Sequence, residues 1–248
     1  MDTLEILLLV LAGILSGFVN VVAGGGSLLT LPLMIFMGLP SGVANGTNRI
    51  AIIAQNVFAV SNFARKGIYE FPYSLYLGAA AVVGAIIGAN LAVDIDEKAF
   101  NRFLALVMVG AAFFIVRRKQ NNISDNANIS SKQLVSGLLV FFLLGIYGGF
   151  LHAGIGFLII LALTKINHFS LMKANSIKVF VALVYSIPAV GVFLFNGMVD
   201  WKVGITLAVG TSLGGILGSH LNMKGGEKWI KLILVLAIFG MAIKLWFF

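Results

Sequence analysis

Hydrophobic side chains are grouped into ten segments, which short polar or glycine-rich stretches separate. The segments lie near 4–22, 27–38, 48–64, 72–93, 99–116, 134–153, 155–164, 174–195, 201–221 and 229–248. Apolar runs of about 20 residues have the length of an α-helix that crosses a bilayer. The pattern therefore predicts an all-α polytopic membrane protein. The two short segments, 27–38 and 155–164, are open to interpretation as spanning or re-entrant helices.

The composition agrees with this class. Hydrophobic residues make up 60% of the chain and charged residues 10%, and the mean hydropathy is +1.03. A soluble domain carries about 25% charged residues. The absence of Cys excludes thiolate metal sites, disulfides and a cysteine nucleophile. Asp2 and Glu5 precede the first apolar run without any Lys or Arg, so we expect residues 4–22 to be a retained span and not a signal peptide.

Lys and Arg are unevenly distributed among the loops. Loops near 65–66, 117–132, 165–173 and 224–231 are rich in them, whereas the opposite set holds Lys98, Arg102, Lys202 and Lys244. Because cytoplasmic loops carry the excess of positive charge, we assign the first set to the cytoplasm. Both termini are then predicted to lie on the outer side of the cell (inner) membrane. The net charge of +8 reflects this topology, and no nucleic-acid partner is expected.

The two halves of the chain resemble each other, each with four long segments and one short segment in the same order. Corresponding residues are Gly13 and Gly145, Gly17 and Gly149, Asn20 and His152, Asn45 and Asn175, Glu70 and Asp200, Gly84 and Gly214, Gly88 and Gly218, and Gly110 and Gly240. We divide the chain into an N-terminal repeat, 1–117, a polar cytoplasmic linker, 118–133, and a C-terminal repeat, 134–248. Because matched loops fall on opposite sides of the membrane, the repeats are predicted to be inverted, as in many secondary transporters.

Glycine interrupts an apolar region in each half. Gly24, Gly25 and Gly26 break the first region, and Gly154 and Gly156 break the second. Broken backbone survives in lipid only where it is buried in protein or lines a wet cavity, so each break marks a candidate site. We expect Ser27 to cap the short helix that follows the first break. A tight inter-helix turn is the alternative interpretation.

Polar side chains cluster near these breaks in otherwise apolar segments. The candidate substrate-binding residues are Asn20, Gly24, Gly25, Gly26, Ser27, Asn45, Thr47, Asn48, Arg49, Gln55, His152, Gly154, Gly156, Asn175 and Lys178. Arg49 at mid-bilayer would cost ~3 kcal/mol, and no membrane-embedded acid is evident as its partner. This favours an anionic ligand, bound by Asn and Thr groups and backbone N–H groups and neutralised by Arg49 and Lys178. The alternative is that both cations lie near the surface and snorkel.

Several motifs resemble the sulfite exporter TauE/SafE family. They are Gly17-Phe-Val-Asn20, Ala23-Gly-Gly-Gly26-Ser27-Leu-Leu, Leu31-Pro32-Leu33 and Ala44-Asn-Gly-Thr47, together with the duplicated Gly-x2-(Glu/Asp)-(Phe/Trp) segments. The resemblance implies a membrane transporter of two related modules. It also implies a small anionic substrate, such as sulfite, a sulfonate or another small organic anion. The second break departs from the family pattern, since Gly154-Ile-Gly156-Phe157 stands there without further glycines or a proline.

We therefore expect an anion transporter that works by alternating access, without a cofactor or a bound metal. Export is favoured, because the membrane potential lowers the free energy of an anion that leaves a negatively charged interior by about 2.3 kcal/mol per charge per 100 mV. Coupling to protons or sodium, and assembly into a homodimer, stay open. A passive anion channel, a structural or assembly protein and a membrane enzyme are the alternatives, although no recognisable catalytic motif is present.

Overall fold

The computed structural model describes residues 2–22, 25–117, 129–220 and 227–247. These residues form ten α-helices: α1 (Thr3–Val22), α2 (Ser27–Phe36), α3 (Ser41–Arg65), α4 (Tyr73–Val93), α5 (Glu97–Arg117), α6 (Ser131–Phe150), α7 (Ile155–Ile166), α8 (Leu171–Phe195), α9 (Trp201–His220) and α10 (Glu227–Phe247). The described residues contain no strand. The prediction of an all-α polytopic membrane protein is thus confirmed.

Among the described residues, five helices are long and apolar enough to cross a membrane, namely α1, α4, α6, α8 and α9. Their outward surfaces expose large apolar side chains, such as Leu7, Leu91, Leu139 and Leu213. Such surfaces suit the hydrocarbon interior of a bilayer. Most of the predicted linker, 118–133, lies outside the described residues, and the division into repeats stays a prediction.

Helix α3 begins earlier than the hydrophobic segment predicted near 48–64. It starts at Ser41, directly after Pro40. The Ser41 hydroxyl donates to Asn101 at 2.7 Å, and its backbone N–H donates to Glu97 at 2.7 Å. These hydrogen bonds with α5 satisfy the polar groups of the first residue of the helix. Hydropathy misses this turn because its residues are small or polar, although several of them are buried.

Glycine allows two pairs of helices to pack backbone against backbone. On α9, Gly210 lies against Val10 of α1, and Gly214 lies against Ile14. Because both residue numbers rise together, α1 and α9 run parallel. On α4 and α6 the corresponding contacts are Gly84 with Phe142, Gly88 with Ile146, Gly145 with Ala81 and Gly149 with Ala85, so this pair is also parallel. Small residues at these positions permit the close approach.

Helices α3 and α8 cross the centre of the molecule in opposite directions. Gly46 of α3 meets Phe193 near the end of α8, and the carbonyl of Ile68, just beyond α3, accepts from Ser176 near the start of α8. Contacts of Thr47 and Gln55 with α9 make α3 and α9 parallel. Helix α4 is parallel to α8, since Tyr73 packs on Phe169 and Gly78 on Val184.

The buried apolar residues form two clusters. One joins α1, α2, α3, α5, α9 and α10, and the other joins α4, α6, α7 and α8. Each cluster thus contains one interrupted helix, α2 or α7, and one of the two central helices, α3 or α8.

Candidate functional site

The first break lies between α1 and α2. Gly24 lies outside the described residues, whereas Gly25 and Gly26 are both buried. A Cβ atom at Gly26 would collide with the backbone carbonyl of Ser16 on α1. Glycine is therefore needed at this position so that the start of α2 can lie against α1.

The expected role of Ser27 as an N-cap is wrong. Gly26 already has helical backbone angles, with φ −55° and ψ −41°, and no side chain caps α2. The N–H groups of Leu28 and Leu29 donate instead to the carbonyls of Gly25 at 3.1 Å and Gly26 at 2.9 Å. Ser27 thus lies inside the helix, because the helical turn begins before it.

The second break, between α6 and α7, has a left-handed backbone. Gly154 caps α7 with φ +73°, which glycine adopts at little cost. His152 also has a positive φ, of 62°, and its side chain is buried. Residues other than glycine rarely adopt this conformation. The surrounding structure must therefore hold His152 in place.

The two breaks contact each other. The ring of Phe157 on α7 lies against Gly25, and Leu28 on α2 lies against Gly154. The fold thus brings together two segments that are far apart in the sequence, as a site shared by both breaks requires.

Arg49 binds the C-terminal end of α6. Its side chain is 0% exposed; Nη1 donates to the carbonyl of Gly148 at 3.0 Å, and Nη2 donates to the carbonyl of Gly149. Asn45, one turn earlier on α3, donates to the carbonyl of Phe150 at 2.7 Å. These carbonyls belong to the last turn of a helix, where backbone carbonyls have no hydrogen-bond partners within the helix itself. Two side chains of the first half therefore satisfy the broken helix of the second half.

Lys178 and Asn175 bind the C-terminal end of α1 in the same way. Lys178 is 3% exposed, and its Nζ donates to the carbonyl of Asn20 at 3.0 Å. Asn175 donates to the carbonyl of Val21 at 3.2 Å. Capping is thus reciprocal between the halves of the chain. The alternative that Arg49 and Lys178 snorkel at the surface is inconsistent with this burial.

A second layer of hydrogen bonds lies one turn away. Asn20 donates to Gln55 at 3.2 Å, and Gln55 donates to the carbonyl of Gly17 at 3.1 Å. In the second half, the ring of His152 bonds to the hydroxyl of Tyr185, with 2.9 Å between Nδ1 and Oη. Both pairs join an interrupted helix to one of the two central helices.

Three buried polar atoms near the crossing have no hydrogen-bond partner within the described parts of the chain. They are Nε of Arg49, Oδ1 of Asn175 and Oγ of Ser186. The Arg49 guanidinium also stacks over the ring of Phe193, 4.8 Å from its centroid. Buried polar groups are almost always hydrogen-bonded, so each exception needs an explanation, such as a bound water or ion.

Other predicted residues make structural contacts. Asn48 accepts a hydrogen bond from Thr30 at 2.8 Å, and Thr47 accepts one from the backbone N–H of Asp200 at 2.8 Å. Gly156 is buried in the first turn of α7. The structure thus groups Asn45, Arg49, Asn175 and Lys178 at the two helix ends, while Thr47 lies nearer the start of α9.

Replacing Thr47 with valine is expected to lower stability without changing substrate affinity. The substitution keeps the shape of the side chain but removes the acceptor of the partly buried Asp200 N–H, and a typical hydrogen bond contributes about 0.5–1.5 kcal/mol. Thermal unfolding in detergent and the KM for transport measure the two effects. Thr206→Val is the control, because the hydroxyl of the half-buried Thr206 donates to the carbonyl of Lys202 one turn earlier in its own helix. A raised KM for Thr47→Val at unchanged stability would place Thr47 in the binding site instead.

Sequence reasoning missed the partners of the two buried cations. The carbonyls of Gly148 and Gly149 bind Arg49, although the sequence indicates Gly149 only as the counterpart of Gly17 in the first half. Tyr185 and Phe193 also lie at the site. Every residue has a backbone carbonyl, so no sequence signal marks the ones used. The polar character of Tyr185 within an apolar segment is a signal that could have identified it.

The fold and site define a class: a polytopic helical membrane protein with two interrupted helices whose ends are bound by buried cations. The chain belongs to the sulfite exporter TauE/SafE family, whose profile matches residues 9–245. This confirms the resemblance drawn from the glycine and asparagine motifs.

Curated relatives bear names of the same kind. A "probable membrane transporter protein ORF9" from Sinorhizobium is 29% identical over 96% of this chain and 90% of its own length. A "probable membrane transporter protein" from Haemophilus influenzae is 29% identical over 98% and 94%, and YfcA from Escherichia coli K12 is 26% identical over 93% and 86%. No solved structure matches the chain.

Proposed function

We propose that this membrane transporter carries a small anion, namely sulfite, a sulfonate or a related oxyanion, by alternating access. The observation that carries the proposal is the pair of buried cations, Arg49 and Lys178. Within the described residues they are the buried charged side chains, and no Asp or Glu is buried with them.

The helix ends neutralise these cations only in part. The C-terminus of a helix is equivalent to about −0.5 elementary charge. The pairing of Arg49 with the end of α6 then leaves roughly half a positive charge in a region of low dielectric constant. An anion placed between the two breaks would balance this remainder. The unpaired Nε–H of Arg49 is a donor that such an anion can use.

We further propose that the halves are inverted repeats. The helix directions support this: α1, α3 and α9 run one way, while α4, α6 and α8 run the other. In the three pairs α1 and α6, α3 and α8, and α4 and α9, the helix of the first half thus runs opposite to its counterpart in the second. Reciprocal capping also supports the proposal. In inverted-repeat transporters, substrates bind near the midplane between discontinuous helices.

Export is the proposed direction for any substrate that crosses with net negative charge. The membrane potential drives such an anion outward by about 2.3 kcal/mol per charge per 100 mV. The name of the family includes export of sulfite, and the substrate class of this chain is proposed on that basis together with the buried positive charge.

The test is counterflow of radiolabelled sulfite in proteoliposomes. A carrier is expected to take up external label faster when unlabelled sulfite is trapped inside, and uptake should saturate. A passive channel would show neither saturation nor acceleration by trapped substrate. Absence of any protein-dependent sulfite or sulfonate flux would contradict the proposed substrate class.

Neutralising Lys178 is expected to weaken anion binding. Lys178→Gln should raise the KM for sulfite counterflow by about tenfold, the size of a 1.4 kcal/mol loss of binding, whereas Lys178→Arg should retain transport. Lys202→Gln is the matched control, since Lys202 is exposed at the start of α9. An unchanged KM in Lys178→Gln would refute a charge role for this residue.

A further inference from the structure

His152 is one of the candidate substrate-binding residues predicted from the sequence, and the fold holds it in an unusual position. Its backbone is left-handed, its side chain is 5% exposed, and its ring bonds to Tyr185. Strained residues of this kind cluster at functional sites and switch regions. Histidine is also the side chain whose charge changes most readily near neutral pH.

A buried cation lies close to His152. Arg49 on α3 binds the carbonyl of Gly148, and Gly148 lies against Tyr185, the hydrogen-bond partner of the His152 ring. The other titratable neighbours are Tyr185 on α8 and Tyr147 on α6, whose hydroxyl donates to the carbonyl of Ala153. A protonated His152 would therefore be a second positive charge beside Arg49. A bound anion would remove this repulsion.

We propose that His152 takes up one proton together with the anion, so that the carrier is a proton–anion symporter. The proposal rests on the anion transport proposed above. Binding linkage is reciprocal: if the anion favours protonation of His152, then a proton on His152 favours anion binding by the same factor.

The proton has a defined place. It binds the ring nitrogen that is unprotonated in neutral histidine, and no covalent bond other than this N–H forms or breaks. The resulting imidazolium can donate its Nδ1–H to Oη of Tyr185 from either starting tautomer. The hydrogen bond that orients the ring is thus kept in both charge states.

The same geometry disfavours sodium at the helix ends. In transporters with discontinuous helices, backbone carbonyls at half-helix C-termini coordinate the coupling Na⁺. Here the carbonyls of Gly148 and Gly149 bind Arg49, and the carbonyl of Asn20 binds Lys178. Side-chain cations thus occupy the place that a sodium ion would take.

Coupling to one proton sets the charge that crosses the membrane. A sulfonate carries one negative charge, so its transport with a proton is electroneutral. A doubly charged sulfite with one proton still carries one negative charge outward. Potential-driven export of sulfite is therefore compatible with proton symport.

The experiment uses methanesulfonate, which stays ionised throughout the working pH range and so adds no protons of its own. Wild-type protein is reconstituted in liposomes that contain a pH-sensitive dye, and an inward methanesulfonate gradient is applied. The lumen should become acidic as methanesulfonate enters. A potential imposed with potassium and valinomycin should leave the rate unchanged.

His152→Asn is the variant that separates coupling from transport. Asparagine tolerates the left-handed backbone, its amide can reach Tyr185, and Asn20 occupies the corresponding place in the first break. Counterflow of methanesulfonate should continue with a KM raised about tenfold, within the usual range of coupling between sites, while proton uptake is lost and net flux becomes sensitive to potential. His168→Asn is the matched control, because His168 is exposed and also has a positive φ, of 56°.

The outcomes separate the coupling, the role of His152 and the proposed function from one another. Methanesulfonate entry without proton uptake in wild type overturns the coupling while leaving anion transport intact. Proton uptake that persists in His152→Asn overturns the assignment to His152. No counterflow in wild type overturns the proposed function, and the coupling falls with it. If His152→Asn does not fold, the wild-type proton and potential measurements still decide whether coupling exists.

Discussion

Replacing Arg49 with alanine is expected to abolish sulfite counterflow and to destabilise the folded protein strongly. The substitution removes the charge proposed to bind the anion, and it leaves the carbonyls of Gly148 and Gly149 buried without donors. Each unsatisfied group costs about 1–3 kcal/mol. Loss of the large side chain adds a cavity beside Phe193. Counterflow in proteoliposomes and thermal unfolding in detergent measure the two effects separately.

Arg49→Lys distinguishes binding from capping. Lysine keeps the charge, but its single ammonium group cannot reproduce the fork with which arginine bonds two neighbouring carbonyls. We expect the stability of Arg49→Lys to lie between those of the wild type and Arg49→Ala, and we expect residual counterflow with a raised KM. Arg102→Ala is the control, because Arg102 is exposed on α5. If Arg49→Ala retained wild-type counterflow, both the charge role and the proposed anion site would be wrong.

Replacing Gly88 with alanine is expected to have the second largest effect. A Cβ atom at this position would collide with the backbone carbonyl of Ile146 and the N–H of Phe150 on α6. These backbone atoms cannot move without shifting the end of α6, to which Arg49 and Asn45 bind. Overpacking costs about 1–3 kcal/mol, and more is expected here because the clash is with backbone. Thermal unfolding and the monodisperse yield after purification measure the loss.

Gly110→Ala is the matched control for this prediction. Gly110 also lies in a long helix, α5, but among the described residues no atom beyond its own helix backbone and chain neighbours lies within 4 Å of a Cβ built there. Alanine should be neutral at this position or stabilise the helix by up to about 1 kcal/mol, the difference in helix propensity. Equal stability of the two variants would mean that α4 and α6 do not pack as closely as described.

The class of protein could be read from the sequence because hydrophobicity and glycine act locally. Apolar runs of membrane-spanning length predict the helices, and runs of glycine predict where α1 is interrupted. The first residues of helices that begin with polar side chains could not be predicted in the same way. Ser41 begins α3 only because Asn101 and Glu97 of α5 receive its hydrogen bonds. Ser27 failed as a cap because Gly26 already continues the helix.

The sequence by itself determined which polar residues lie within apolar segments, among them Arg49, Lys178 and His152, and left open whether the two cations are buried or lie near the surface. It did not determine what those residues would bind. Only the tertiary structure decided that Arg49 binds the end of α6 and Lys178 the end of α1. The physical reason is that every residue offers the same carbonyl acceptor, so the choice among them depends on which helix ends the fold brings within reach.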